Sequence, residues 1–135
     1  MINTALSCLT VLAMASLPAM VVVDEKAIEK IEANPHGKIG ESTSYRISDQ
    51  APQRNMEFRK RIIHKDGAIG LHVIDHDEVY YVLSGTGEVS SDGQTQILTE
   101  GMAAYLYTGA NVGIKQVGDE PLTLIISYPL AERKP

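Results

Sequence analysis

Short apolar runs separated by turn residues constrain this chain more than any other feature. From Ser42 onward, runs rich in Val, Ile, Leu and Tyr recur about every eight to twelve residues, the spacing of an all-β domain. The predicted strands are 42–47, 56–64, 68–74, 78–83, 87–90, 95–98, 103–107, 112–117 and 122–128. Asp66-Gly67, Asp92-Gly93 and the Gly118-Asp119-Glu120-Pro121 segment lie between runs. Asp-Gly supplies the positive backbone dihedrals that tight hairpins need. The run 122–128 is apolar enough to predict a strand buried on both faces. No unit the size of a second barrel repeats, and 135 residues suffice for one core.

Two histidines and a carboxylate, His72, His76 and Glu78, fall within seven residues of this pattern. A strand-like run and the Ser84-Gly85-Thr86-Gly87 turn follow at once. Alternation from His72 puts Ile74 on the same face, and alternation from Glu78 adds Tyr80 and Val82. Imidazole and carboxylate groups aimed from one strand face are how β-barrels assemble metal sites.

This stretch resembles the first signature motif of the cupins, in which a glycine precedes two histidines, a glutamate and a closing glycine. His72 matches the first histidine, Glu78 the glutamate and Gly85 the closing glycine, while Ile74 stands at the second histidine. A second motif has the same frame: Gly101, Tyr107 at its proline, Gly109, Val112 at its histidine and Gln116 at its asparagine. The resemblance covers residues 42–130. It implies an all-β, single-domain cupin jelly-roll barrel with these residues facing its interior, and a divalent metal such as iron, manganese, nickel or zinc. It also implies a homodimer.

The residues leave the chemistry open. His72, Glu78 and His76 make the smallest set for a two-histidine, one-carboxylate metal site. Without a metal, His72 and Glu78 read as a buried pair that satisfies itself by hydrogen bonding. His76, between Asp75 and Asp77, reads either as a third ligand or as a solvated turn residue. His72 with Tyr80 or Tyr107 resembles the base and acid of metal-free cupin isomerases and epimerases. Ile74, Tyr80, Val82, Tyr107, Val112 and Gln116 are the candidate ligand-binding wall, and a non-catalytic binding barrel is a third class. The ligand class expected is a sugar or an organic acid. Exposed surface histidines are expected at His36 and at His64, the latter at the end of a basic strand with Arg59, Lys60 and Arg61.

The first 23 residues carry no charged side chain. Their apolar run and the Ala13-Met14-Ala15 triplet predict a secretory signal peptide over 1–23, hence a secreted or periplasmic chain. A membrane is expected only if the leader stays uncleaved. Residues 24–41 read as a short helix or arm and a loop, with Asp24 as N-cap and Asn34-Pro35 as terminator. Residues 131–135 read as a tail. Cys8, the single cysteine, lies in the leader, so the remainder holds no thiol nucleophile and no disulfide. Seventeen acidic against twelve basic residues argue against nucleic acid as a partner.

Overall fold

The computed structural model describes residues 16–135. The apolar centre of the predicted leader and its first cleavage pattern lie outside them. Among the described residues no helix is long and apolar enough to cross a membrane.

The segment read as a short helix or arm is a single 3₁₀ turn followed by a strand. Asp24 caps a single 3₁₀ turn, Glu25–Ala27, by accepting the Lys26 N–H at 3.0 Å. The chain then extends into β1, Glu29–Ala33. β1 pairs antiparallel with β2, Glu41–Tyr45, from Glu29 opposite Tyr45 to Ala33 opposite Glu41. A helix this short is marginal on its own in water. As a strand the segment gains a ladder and partners for its carboxylates. Tyr45 donates its hydroxyl to Glu29 at 2.7 Å, and Ser44 donates to Glu32 at 2.9 Å.

All nine strands expected from Ser42 onward are present, with ends moved by one or two residues except at the last. They are β2, β3 (Arg54–Ile63), β4 (Ala68–Val73), β5 (Glu78–Ser84), β6 (Thr86–Ser91), β7 (Gln94–Leu98), β8 (Ala103–Leu106), β9 (Asn111–Val117) and β10 (Leu122–Lys134). They form two antiparallel sheets, ordered β1-β2-β3-β10-β5-β8 and β4-β9-β6-β7. Asp92 and Gly93, with φ of 47° and 84°, make the β6–β7 hairpin. The sheets face each other as a jelly roll. Its core joins Ile63, Tyr80, Val82, Leu122, Leu124 and Ile126 of one sheet to Ile69, Val89, Val112 and Ile114 of the other. β10 is not buried on both faces. Leu122, Leu124 and Ile126 point into the core, whereas Thr123, Ile125 and Ser127 are half-buried on the outer face.

Candidate ligand pocket in the barrel

The inward face of β3 carries charge. Alternation back from the core residue Ile63 puts Arg61, Arg59 and Glu57 on the same side, and Glu57 and Arg61 are only 2% and 4% exposed. Arg46, just past β2, joins them. Each guanidinium is braced by a carboxylate. Arg61 donates to Ser42 Oγ at 2.5 Å and to Glu32 at 3.2 Å, and Arg46 donates to the same Glu32 oxygen at 2.6 Å. Arg59 donates through Nε to Glu57 at 3.2 Å, while Arg54 and Ser48 hold Glu57 from behind. Burial alone would raise Glu32. The Ser44 hydrogen bond and the charges of Arg46 and Arg61 outweigh it and hold that carboxyl below the usual range. Burial likewise works against Glu57, and Arg59, Ser48 and Arg54 likewise prevail.

Arg46, Arg59 and Arg61 line a cavity of about 120 Å³ whose remaining wall includes His36, His72, Glu78, Tyr80 and Tyr128. Glu78 is 6% exposed, and its Oε2 has no hydrogen-bond partner. Burial pushes its carboxyl up to about 7, against the opposing charge of Arg59. His72 Nδ1 lies 2.9 Å from the Gly70 carbonyl. A carbonyl only accepts, so Nδ1 carries the proton and Nε2 keeps its lone pair. His36 covers His72 from outside, its ring centroid 3.5 Å away and its plane 3° from parallel. Gly70 permits this: a Cβ there would fall 1.7 Å from the His36 carbonyl oxygen, so only glycine lets the His36 loop lie on β4.

Of the residues expected at the site, His72, Glu78 and Tyr80 share this cavity. Ile74, 3% exposed, does not line this cavity but a neighbouring hollow with His36, His72 and His76. Val82 and Val112 are fully buried core residues, with Val112 directly opposite His72 across β4 and β9. Tyr107 does not face the interior. β8 turns Leu106 inward, so the alternation sends Tyr105 and Tyr107 out, and Tyr107 is 68% exposed. Gln116 is buried but does not line the cavity. Its Oε1 accepts the Asp66 N–H, and its Nε2 donates to the carbonyls of Val117, Gly118 and Glu120, which ties two turns together. His76 is neither a third inward ligand nor free in solvent. It stacks on Tyr128 at 4.1 Å and bonds Asp75 at 2.8 Å.

His36, Arg46, Arg59, Arg61 and Tyr128 were not expected here. For the β3 arginines the signal was legible, because Ile63 and the period of two place them inward. His36 and Arg46 lie outside regular strands, where periodicity says nothing.

Residues 61–128 match the family description of the cupin domain. The chain belongs to the cupin family. Among curated proteins none matches it. A predicted oxalate decarboxylase of Thermotoga maritima is similar over 82% of this chain and 99% of its own, at 23% identity and a TM-score of 0.72. The polyketide cyclase of Streptomyces resistomycificus is similar over 86% and 82%, at 20% identity and a TM-score of 0.67. An RmlC-like cupin of Shewanella frigidimarina is similar over 76% and 85%, at 19% identity and a TM-score of 0.60. At these identities the likeness is one of fold.

The donor set of this cupin does not fit a three- or four-ligand metal centre. Among the described residues no three His, Cys, Asp or Glu side chains group as ligands. His72 Nε2 and Glu78 Oε2 offer two donors, while Ile74 and Val112 stand buried and apolar. His36 cannot supply a third beside His72 in this arrangement. Imidazole binds a metal in its ring plane, and two parallel planes 3.5 Å apart share no point.

Proposed function

We propose that this cupin binds a small organic acid in the barrel cavity and recognises it with its own side chains. The observation that carries the reading is the set of three arginines, Arg46, Arg59 and Arg61, lining a cavity into which Glu78 presents an unpartnered oxygen. Guanidinium groups are matched by a carboxylate, which can take two parallel hydrogen bonds from one fork. Arg46 and Arg61 share the single Glu32 carboxylate, so a neutral sugar leaves part of their charge without a partner. Glu78 and His72 Nε2 then serve a hydroxyl of the acid. A cavity of about 120 Å³ suits about six heavy atoms, on the scale where about 150 Å³ holds one benzene.

A second reading, metal-free proton transfer in the manner of an isomerase, rests on His72 and Tyr80 in the same cavity. His72 is held as the tautomer whose Nε2 has the free lone pair, and Tyr80 lines the same cavity. Such a pair has the base and acid that proton transfer at carbon needs.

Calorimetric titration with acetate, glycolate and malonate against glucose tests the first reading. The acids bind, glucose does not, and Arg59→Gln weakens every acid at least about tenfold, the loss of one charge-assisted pair. Glucose binding as well as glycolate, unaffected by Arg59→Gln, overturns it.

An exported chain loses its leader between about Ser16 and Asp24, which intact mass of the native protein reads directly. A homodimer is supported by Phe58, Tyr81, Leu83 and Tyr105, all exposed on strands of the six-stranded sheet. Sedimentation equilibrium at twice the chain mass is the expected result.

A further inference from the structure

The inner cavity does not stand alone. β10 leaves register with β3 between Pro129 and Lys134, so the chain there bows away from the sheet. Beneath the bow lies a groove of about 640 Å³, several times the inner cavity. Met56, Val79, Tyr105, Pro129, Leu130 and Ala131 give it an apolar wall. Glu78 and Tyr128 belong to the walls of both spaces, so cavity and groove adjoin at those two residues. Tyr128 is fixed there by His76 stacked at 4.1 Å and by the Arg59 guanidinium 5.8 Å from its ring.

The two spaces differ in charge. The inner one is lined by three arginines. The groove wall has no arginine or lysine; its one imidazole, His76, is bonded to Asp75 and stacked on Tyr128, and the carboxylates of Asp75, Asp77 and Glu78 run along it. Asp77 is already saturated by the Tyr105 hydroxyl, the Thr108 N–H and the Thr108 hydroxyl. A second anionic group would be repelled from the groove, and a polar one would find few free partners.

We infer that the ligand is an amphiphilic acid, with its carboxylate on the cavity arginines and a neutral, apolar body of several carbons in the groove beside Tyr128. This rests on the organic-acid reading and extends it. Apolar surface laid against the groove is removed from water, and its affinity grows with length.

Titration of acetate, butyrate, hexanoate and octanoate into the wild type, Arg59→Gln and Ala131→Trp tests it. Ala131 is exposed on the bowed segment, so tryptophan there fills the groove without entering the core. In the wild type, affinity rises about two- to fourfold per methylene beyond butyrate. Ala131→Trp abolishes that rise and leaves acetate unchanged, while Arg59→Gln weakens the whole series. Acetate bound but octanoate no tighter, or octanoate indifferent to Ala131→Trp, overturns the groove inference and leaves the organic-acid reading standing. No acid bound at all overturns both. Octanol bound as tightly as octanoate shows a generic apolar surface and overturns the inference. So does a dimer that octanoate fails to loosen when Ala131→Trp abolishes it, since the groove then belongs to a second copy.

Discussion

His36 lies flat on His72, with ring centroids 3.5 Å apart. The contact closes one side of the barrel cavity with a residue that the strand pattern does not reach. His36 holds a left-handed φ of 60°, followed by Gly37 at 115° and Lys38 at 54°. Asparagine tolerates that conformation better than most residues, so His36→Asn removes the ring with little added strain. It is expected to cost about 1 kcal/mol at pH 8, the worth of a ring pair. Burial and the neighbouring His72 push the His36 pKa below its usual value. A depressed folded-state pKa gives stability that is present above the unfolded value and lost as pH falls through the folded one. Urea midpoints of His36→Asn should therefore decline less than wild type as pH drops below about 6.5. Equal declines would place the acid sensitivity elsewhere.

Glu78 has the opposite sign. Its folded-state pKa is raised to about 7, so its contribution is complete below the unfolded carboxyl value and is lost as pH rises through 7. Glu78→Gln keeps the shape and removes the buried charge. At pH 8 the variant is expected to be more stable than wild type, by on the order of 2 kcal/mol, with the difference vanishing near pH 4. Denaturant titrations at both pH values measure it. A variant less stable at pH 8 would mean that the ionised carboxylate is paired in solution.

Metal affinity should respond to the two apolar substitutes at the motif positions. Val112 faces His72 across the ladder, and Ile74 follows on the same strand face. Ile74→His with Val112→His adds two imidazoles to His72 and Glu78. The variant loses apolar contacts, about 2 kcal/mol or more. It should then bind one cobalt(II) per chain and gain melting temperature on addition of metal. The wild type is expected to hold cobalt(II) weakly, with little thermal shift. Tight stoichiometric binding by wild type would show that a third residue rearranges to serve as ligand.

The two motif glycines should differ. Both have positive φ, 79° at Gly85 and 82° at Gly101. A Cβ at Gly85 would fall 2.2 Å from the Pro121 carbonyl oxygen, whereas at Gly101 nothing lies within 4 Å. Gly101→Ala is expected to cost about 1 kcal/mol from backbone strain alone. Gly85→Ala should cost about 3 kcal/mol or more, since the clash is with backbone. Equal chemical-denaturation midpoints for the two variants would contradict this.

Gln116 offers a stability test separate from the cavity. Removing its amide leaves an N–H and three carbonyls without their partner in the 64–67 and 117–121 turns. Gln116→Ala should lose about 2–3 kcal/mol and leave affinity for acetate unchanged. A change in ligand affinity without a stability loss would place Gln116 in the binding wall after all.

By itself, the sequence determined the all-β class, the nine strands from Ser42 onward and the inward set His72, Glu78 and Tyr80. Side-chain alternation and turn residues are local, so they are written in consecutive positions. The same period put Arg59 and Arg61 inward, but charge on a strand reads as surface until its partners are known. Glu57 supplies one to Arg59 from two residues away, and Glu32 supplies one to Arg61 from twenty-nine residues away in sequence. Only the tertiary structure decided that Glu29–Ala33 is a strand, because β2 offered it a ladder that an isolated segment lacks. It also decided that Tyr107 faces outward, since β8 ends one residue earlier with Leu106 taking the interior position. His36 reached the cavity through a turn of left-handed residues, and Gln116 went to two turns rather than the pocket. Each of these outcomes depends on contacts between segments distant along the chain, and no local pattern encodes them.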